Sequence, residues 1–203
     1  MSAPWGVILA GGGATRMGGG DKGLRLLGGR PLLAHVIDRL APQCAKLALN
    51  ANGDPARFDA FALPVLPDSL RDRPGPLAGV LAGLDWAAQN GAGAIVTAAA
   101  DTPFFPRDLV ARLQANAGPE GVCLAASADA AGRLFRHPTF GLWPVDLRED
   151  LRAALQSGLR KMALWADQHQ AGMVVFDSAR FDPFFNINRP EDILRAEELL
   201  GRA

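Results

Sequence analysis

The sequence predicts a single α/β domain over residues 1–203, with three α/β/α layers, a Rossmann-like order and a mostly parallel central sheet. Short apolar segments alternate with amphipathic segments along almost the whole chain, which is typical of strands joined by crossover helices. With 203 residues, 49% of them hydrophobic and 21% charged, the chain can bury one sizeable core. A glycine-rich segment follows the first apolar run, and open α/β sheets bind ligands beyond the carboxyl ends of their strands.

The first half of the chain predicts two helices between four strands. The run at Trp5–Ala10 is apolar and ends in glycines, so we expect a buried strand there. Apolar residues recur at helical spacing after Pro31 and again from Pro76, and each set predicts an amphipathic helix. The remaining predicted elements of this half are strands at residues 45–50, 63–66 and 94–100, the last of which runs into Asp101.

The second half of the chain predicts a less regular succession of helices and strands. A helix is expected to start near Pro106, and the closing amphipathic helix covers Pro190–Leu200. Between them the pattern indicates strands at residues 122–126, 135–141 and 173–176 and a helical stretch at residues 145–166.

Charge and cysteine content exclude several classes of protein. Lys and Arg together number 21 and Asp and Glu together 21, so the net charge of 0 argues against a broad nucleic-acid or anionic-membrane surface. Cys44, expected in a helix, and Cys123, expected in a strand, lack the spacing of a zinc site or a disulfide framework. No signal peptide and no apolar stretch long enough to span a bilayer are recognisable. We therefore expect a cytoplasmic protein with reduced thiols.

The glycine-rich segment carries the strongest functional signal. Nine of the twenty residues from Gly11 to Arg30 are glycine, and such a loop lets backbone N–H groups approach a phosphate chain closely. Arg16 and Lys22 add positive charge to it. The alternative is a flexible surface loop whose charges are merely solvated. A Walker loop is excluded because Lys22 follows aspartate and precedes glycine, and the match to the dinucleotide fingerprint lies too far past the strand.

Residues 9–22 resemble the signature L-A-G-G-x-x-x-R-M-G-G-x-D-K of the α/β nucleotidyltransferases without a gap. Within that superfamily the whole chain resembles the molybdenum cofactor guanylyltransferases. Further landmarks of the resemblance are Leu49–Asn52, Pro67–Ser69, Pro74–Gly79, Asp101–Phe104, His137–Pro138 and Asn186–Asp192.

The resemblance implies transfer of GMP from GTP to molybdenum-bound molybdopterin, with release of pyrophosphate. Arg16, Lys22 and Asp101 would be catalytic, and Asp101 would bind Mg²⁺. The nucleotide would contact Leu9, Ala10, Gly11, Gly12, Lys22, Asn50, Asp68 and Asp101, while Asn186 and Asn188 would contact the pterin. Apart from the resemblance, we expect Gly75 and Gly79 to contact the nucleotide, because they lie at the N-terminal end of the helix predicted from Pro76 and such an end favours anions. The implied partners are GTP, molybdopterin and, transiently, molybdoenzymes or cofactor-maturation proteins, with no nucleic acid and no membrane.

Several of these residues also have purely structural explanations. Asp101 could cap a turn before the next helix, and Asn50 and Asp68 could shape turns at strand ends. Gly79 and Gly83 each cost about 1 kcal/mol relative to alanine inside a helix, so that face is expected to need a smooth surface for a ligand or for packing. Arg189 stands where the family has threonine, so the cap before Pro190 is expected to be lost or to shift to Asn188. His137 is a minor candidate.

Other function classes stay open at this level. The same chemistry could serve a cytidylyltransferase for the same pterin or a sugar-phosphate nucleotidyltransferase. The glycine loop alone would also suit a nicotinamide-binding oxidoreductase or a nucleotide-binding interaction module without catalysis.

Overall fold

The computed structural model describes residues 3–11, 21–70, 75–179 and 181–201. Within them, seven strands form one sheet in the order β5-β4-β1-β6-β8-β7-β9, and two further strands, β2 and β3, form a separate hairpin. The strands are β1 (Trp5–Leu9), β2 (Leu26–Leu27), β3 (Arg30–Pro31), β4 (Leu47–Asn50), β5 (Val65–Leu66), β6 (Ala94–Ala99), β7 (Cys123–Ala128), β8 (Leu134–Pro144) and β9 (Gly172–Phe176). The helices are α1 (Leu32–Leu40), α2 (Pro76–Gln89), α3 (Leu109–Ala115), α4 (Arg148–Gln156), α5 (Met162–Gln168) and α6 (Pro190–Leu200).

The central strands carry apolar side chains on both faces, as the three-layer prediction requires. On β1, Ile8 belongs to the core beneath α1 and α3, and Val7 to the core beneath α2, α4 and α5. Both side chains are fully buried. A third, smaller cluster joins Leu27 of the hairpin to Ala196 of α6. The α/β fold class and the three layers are therefore confirmed.

Parallel pairing brings several strand ends to one edge of the sheet. β1 pairs in parallel with β4 and with β6, so Leu9 lies opposite both Asn50 and Ala99. The chain continues past these strands into Ala10 and Asp101. This carboxyl edge is where the glycine-rich segment returns at Asp21 and Lys22.

One strand departs from the parallel arrangement. β8 runs antiparallel to both β6 and β7. The prediction of a mostly parallel sheet holds because β4, β5, β1 and β6 are parallel to one another and β7 is parallel to β9.

The predicted helical stretch at residues 145–166 was wrong as one continuous unit. It consists of a short 3₁₀ turn followed by α4 and α5. Gly158 interrupts it with a φ of 103°, a left-handed value that a continuing helix does not accommodate. The Arg160 guanidinium donates to the carbonyls of Leu155 (3.0 Å) and Leu159 (2.7 Å), which stabilises the break.

Three smaller differences concern element ends. The helix predicted near Pro106 begins at Leu109, after a turn in which the Leu109 N–H donates to the Pro106 carbonyl. Cys44, expected in a helix, is extended and follows a 3₁₀ turn. The β2–β3 hairpin was not predicted, although Gly28 and Gly29 both have positive φ and form its two-residue turn.

None of the helices formed by the described residues is long and apolar enough to cross a membrane.

Candidate active site

Lys22 and Asp101 meet at the carboxyl edge of the sheet, although 79 residues separate them in the chain. The Lys22 ammonium lies 3.4 Å from Asp101 Oδ2 and donates to Asn188 Oδ1 at 2.7 Å. These three residues come from the glycine-rich segment, the end of β6 and the segment before α6. The structure thus brings together three of the residues that the sequence assigned to catalysis and pterin binding.

The Asp101 carboxylate occupies a largely enclosed position. Its side chain is 16% exposed, and burial raises its pKa, although the nearby Lys22 ammonium opposes that rise. The Thr102 hydroxyl also donates to Asp101 Oδ1 at 3.4 Å. Helix capping does not account for Asp101, because the next helix starts at Leu109 and Asp108 is its N-cap.

The segment before α6 presents alternate residues to the site. Ile187 is fully buried, and its N–H donates to the Asp101 carbonyl at 2.9 Å. Asn186 lines the cleft beside Asp101, and the Asn188 side chain contacts Lys22. The buried Ile187 therefore anchors a short segment whose two asparagines reach the cleft and its lysine.

The cap of α6 differs from the expectation. Arg189 is the N-cap residue, and Asp192 Oδ2 accepts hydrogen bonds from the backbone N–H groups of Asn188 and Arg189, each at 2.8 Å. Because Asp192 caps this helix start, the Asn188 side chain is left to contact Lys22 and does not cap. The Arg189 side chain is 76% exposed and lies 3.8 Å from Glu191.

Asn50 and Asp68 form a polar network at the ends of β4 and β5. The Asn50 amide donates to Asp68 Oδ1 at 2.9 Å and to the Leu66 carbonyl at 3.1 Å. Asn52 pairs with Asp68 reciprocally: its amide donates to Asp68 Oδ2 at 2.8 Å, and its oxygen accepts from the Asp68 N–H at 2.9 Å. Since Asn50 is only 3% exposed, it orients Asp68 in this structure, and direct contact between Asn50 and the nucleotide stays a prediction.

Close packing explains why α2 has glycine at positions 79 and 83. A Cβ on Gly79 would lie 2.1 Å from Asn50 Oδ1 and 2.8 Å from the Leu9 side chain. A Cβ on Gly83 would meet Ile95 and Val7, each at 2.8 Å. Gly79 therefore lets Asn50 lie against α2, and Gly83 lets α2 pack on the sheet.

Gly75 has a different requirement. It precedes α2 as the N-cap residue with a φ of 127°, a value that favours glycine. Its contact with a nucleotide stays a prediction.

A cleft of about 250 Å³ lies beside Lys22 and Asp101. Backbone hydrogen bonds at its floor use the Leu9 carbonyl, which accepts from Ala100, and the Ala10 N–H, which donates to Asn50. Its lining comprises Leu9, Ala10, Gly11, Lys22, Gly23, Pro76, Ala99, Ala100, Asp101, Thr139 and Asn186. The predicted site residues Gly12 and Arg16 lie outside the described residues.

Sequence reasoning missed two residues of this region. Thr139 lines the cleft from β8, and Asn52 holds Asp68 in place. The motif Asn50–Ala51–Asn52 could have indicated Asn52, because two polar residues two positions apart at a strand end share a side. For Thr139 no comparable signal exists, because its position depends on the reversed direction of β8.

His137 has structural contacts of its own. Its Nε2 lies 2.8 Å from the Ser127 hydroxyl, and its ring stacks on Phe184 with centroids 4.3 Å apart. Burial lowers its pKa, and the negative charge of Asp182 partly opposes that shift. These contacts fit the structural role that is usual for a lone histidine.

The chain resembles known nucleotidyltransferases in sequence and in structure. Residues 6–171 match the MobA-like NTP transferase domain family. A protein of Bradyrhizobium sp. named molybdenum cofactor guanylyltransferase is 53% identical over 197 residues, which cover 96% of this chain and 92% of that protein. One of the same name from Cereibacter sphaeroides is also 53% identical, over 98% of this chain and 97% of that protein.

Solved structures share the fold at lower identity. Molybdopterin-guanine dinucleotide biosynthesis protein A from Archaeoglobus fulgidus has a TM-score of 0.69 at 23% identity, over 98% of this chain and all of that one. A 4-diphosphocytidyl-2C-methyl-D-erythritol synthase from Anaerococcus prevotii has a TM-score of 0.70 at 15% identity, over 99% and 97% of the two chains. At these identities the likeness shows the fold alone, whereas the two sequence relatives named above share one name. On the match over residues 6–171 and these identities, the chain belongs to the MobA-like nucleotidyltransferase family.

Proposed function

We propose that this protein transfers GMP from GTP to molybdenum-bound molybdopterin, forming molybdopterin guanine dinucleotide and releasing pyrophosphate. The observation that carries the proposal is the meeting of Lys22, Asp101 and Asn188 at the carboxyl edge of the sheet. The choice of base and acceptor rests on the names of relatives that are about half identical over nearly the whole chain. Neither these relatives nor the matched family favours a sugar-phosphate acceptor or a nicotinamide cofactor.

The reaction exchanges one phosphoanhydride bond for another. An oxygen of the terminal phosphate of molybdopterin attacks the α-phosphorus of GTP, and the bond between the α-phosphorus and its bridging oxygen to the β-phosphorus breaks. The electron pair of that bond leaves with pyrophosphate. Because the attacking phosphate is already an anion at neutral pH, no side chain has to remove a proton from it. Catalysis then depends on positioning and on neutralising charge.

Lys22 is suited to the charge that accumulates on the phosphates. Its ammonium is a compact cation, and it is held at the cleft by Asn188 and Asp101. Binding of the triphosphate would give this ammonium new anionic partners. We expect Arg16, from the same glycine-rich segment, to contribute a second positive charge.

Asp101 fits the requirements of a magnesium ligand. The described residues hold no group of three or more His, Cys, Asp or Glu side chains that could bind a metal, so Asp101 would act with phosphate and water oxygens. That is the usual ligand set of Mg²⁺ in nucleotide enzymes, which seldom surround it with protein groups alone. When bound, Mg²⁺ would neutralise negative charge on the phosphates.

We expect the two substrates to bind on either side of Lys22. We expect the guanine base to meet the backbone of Leu9, Ala10 and Gly11 together with the network at Asp68, where Asn50 and Asn52 fix the carboxylate. We expect the pterin to contact Asn186 and Asn188 on the other side of Lys22. The product would then pass, in the cytoplasm, to molybdoenzymes or cofactor-maturation proteins through transient contacts.

Pyrophosphate release tests the proposal. The purified protein would be given Mg²⁺ and molybdenum-bound molybdopterin with GTP or CTP, and Asp101→Asn would be compared with the parent chain. We expect turnover with GTP that falls by about 10²-fold or more in the variant, because the carboxylate that would hold Mg²⁺ at the reacting phosphates is lost. Asp38→Asn is a matched control, since Asp38 is half-exposed and pairs with Arg30 on the surface.

Each other outcome has a defined meaning. Turnover with CTP instead of GTP would keep the mechanism and contradict the assignment of the base. Turnover with neither nucleotide, followed by activity on a sugar phosphate, would contradict the acceptor. An equal loss in Asp38→Asn would show that the Asp101→Asn defect is not specific to the site.

A further inference from the structure

Arg57 links two parts of the active site that are far apart in the chain. Its Nε donates to Asp21 Oδ2 at 2.5 Å, and its Nη2 donates to the carbonyl of Asn52 at 2.5 Å. Its Nη1 also donates to the Asp54 carbonyl. One guanidinium thus holds the residue before Lys22 and the loop that follows β4.

The side chain of Arg57 is itself fixed. It is 27% exposed, and its guanidinium lies over the Phe58 ring, 4.5 Å from the centroid. Phe58 is 1% exposed and anchors the 3₁₀ turn at Pro55–Phe61 in the core. Asp54 caps that turn by accepting from the Ala56 N–H at 2.9 Å. Arg57 therefore starts from a rigid base.

Each end of this link leads directly to a substrate-binding group. On one side, Asp21 is the neighbour of Lys22, which faces the phosphates. On the other side, Asn52 is the residue that pairs with both the carboxylate and the backbone N–H of Asp68. A shift of the loop at Asn52 would therefore move Asp68, and a shift of Asp21 would move Lys22.

We propose that Arg57 is a positioning residue that couples selection of the base at Asp68 to phosphate binding at Lys22. This inference rests on the proposed function. Arginine suits the task because its planar fork donates in several fixed directions at once, whereas the ammonium of lysine is a single point of charge. Arg57 is not among the described residues that line the cleft, so it would act through Asp21 and Asn52, to which it donates.

Measurements of nucleotide binding distinguish the contact of Arg57 with Asp21 from its contact with Asn52. Dissociation constants for GTP and for CTP would be measured calorimetrically with Mg²⁺ and without acceptor. Asp21→Asn should weaken the binding of GTP and of CTP by the same factor, because both nucleotides carry the same triphosphate. Asn52→Ala should weaken GTP alone and so lower the preference for GTP.

Arg57→Ala should lower both the common affinity and the preference for GTP, since it removes the contacts with Asp21 and with Asn52. We expect GTP to bind at least tenfold more weakly, because Lys22 and Asp68 both lose the contact that fixes their neighbours, and we expect the preference for GTP to fall. The double variant Arg57→Ala/Asp21→Asn should bind GTP no more weakly than Arg57→Ala, since the two residues act through one contact. Arg57→Lys keeps a positive charge beside Asp21, so it should restore the common affinity but not the preference.

Arg30→Ala is the control, because Arg30 also pairs with an aspartate, Asp38, at 2.9 Å but lies on the exposed surface. It should leave both affinities unchanged. Thermal unfolding of each variant shows whether it folds, and Arg57→Lys carries the test if Arg57→Ala does not.

Two results would overturn the coupling. The first is an Arg57→Ala protein, or an Arg57→Lys protein in its place, with parental affinity and preference. The second is a double variant whose losses add. If the unsubstituted chain binds neither nucleotide, the proposed function is overturned and the coupling with it. If the unsubstituted chain binds GTP and Arg57→Ala binds it equally well with the same preference, the coupling alone is overturned.

Discussion

Replacing Gly79 by alanine should disturb the nucleotide site from inside a helix. The new Cβ would lie 2.1 Å from Asn50 Oδ1, whereas carbon and oxygen atoms rarely approach closer than about 3.3 Å. The Asn50 amide would have to move by roughly 1 Å, which would break its 2.9 Å hydrogen bond to Asp68. The contact that prevents the substitution is thus also the contact that orients Asp68.

The cost can be worked out from its parts. Overpacking costs about 1–3 kcal/mol, and loss of a hydrogen bond to a charged group costs about 1.5–3 kcal/mol. Alanine returns about 1 kcal/mol through its higher helix propensity. The net loss of unfolding free energy is therefore about 1.5–5 kcal/mol, which in a chain of this length lowers the melting temperature by roughly 3–20 °C.

Urea unfolding and GTP calorimetry together test this reasoning. We expect Gly79→Ala to lower the urea midpoint at an unchanged slope and to weaken GTP binding about tenfold. Gly83→Ala is the control, because the atoms nearest to its Cβ belong to the apolar side chains of Ile95 and Val7. It should lose stability without losing affinity. Parental GTP affinity in Gly79→Ala, or an equal loss of affinity in Gly83→Ala, would refute the argument.

Two further predictions concern stability. His169 lies 2.8 Å from both Glu120 and Asp150; burial lowers its pKa, but the two carboxylates outweigh burial and raise the pKa above its usual value. The two carboxylates stabilise the folded protein fully below about pH 6.5, the pKa of a histidine in the unfolded chain, and this stabilisation is lost as the pH rises through the higher pKa of the folded state. The free energy of unfolding should therefore fall from pH 6 to pH 8, and His169→Gln should remove that fall. Thr97→Val should cost about 1–3 kcal/mol in urea unfolding, because it leaves the Trp143 indole N–H, now 2.9 Å from the Thr97 hydroxyl, buried without that partner; a loss below about 0.5 kcal/mol would contradict this.

The sequence was informative where one short pattern determined one feature. The apolar run at Trp5–Ala10 and the helical spacing after Pro31 predicted β1 and α1 correctly, because burial on a given period is a local property. The nearness of Lys22 to Asp101 was also predictable, since each follows a strand whose carboxyl end reaches the same edge of the sheet.

The remaining features depend on pairings that no local pattern records. Asn52 matters because the register of β4 and β5 brings Asp68, sixteen residues later, to its side chain. Arg57 appears in sequence as an ordinary surface arginine, because its partner Asp21 lies 36 residues earlier. The direction of β8 was unpredictable for a related reason: an apolar run has the same period whichever way the strand runs.

That reversal has a consequence for the site. Because β8 is antiparallel to β6, Pro144 lies opposite Ala94 at the amino end of β6, and the residues that precede Leu142 reach the carboxyl edge. Thr139 thereby enters the lining of the cleft next to Asp101. A parallel strand would have brought its last residues to this edge instead. The antiparallel strand thus brings Thr139, from the second half of the chain, into the same cleft as Asp101 and Asn186, where we expect the acceptor to bind.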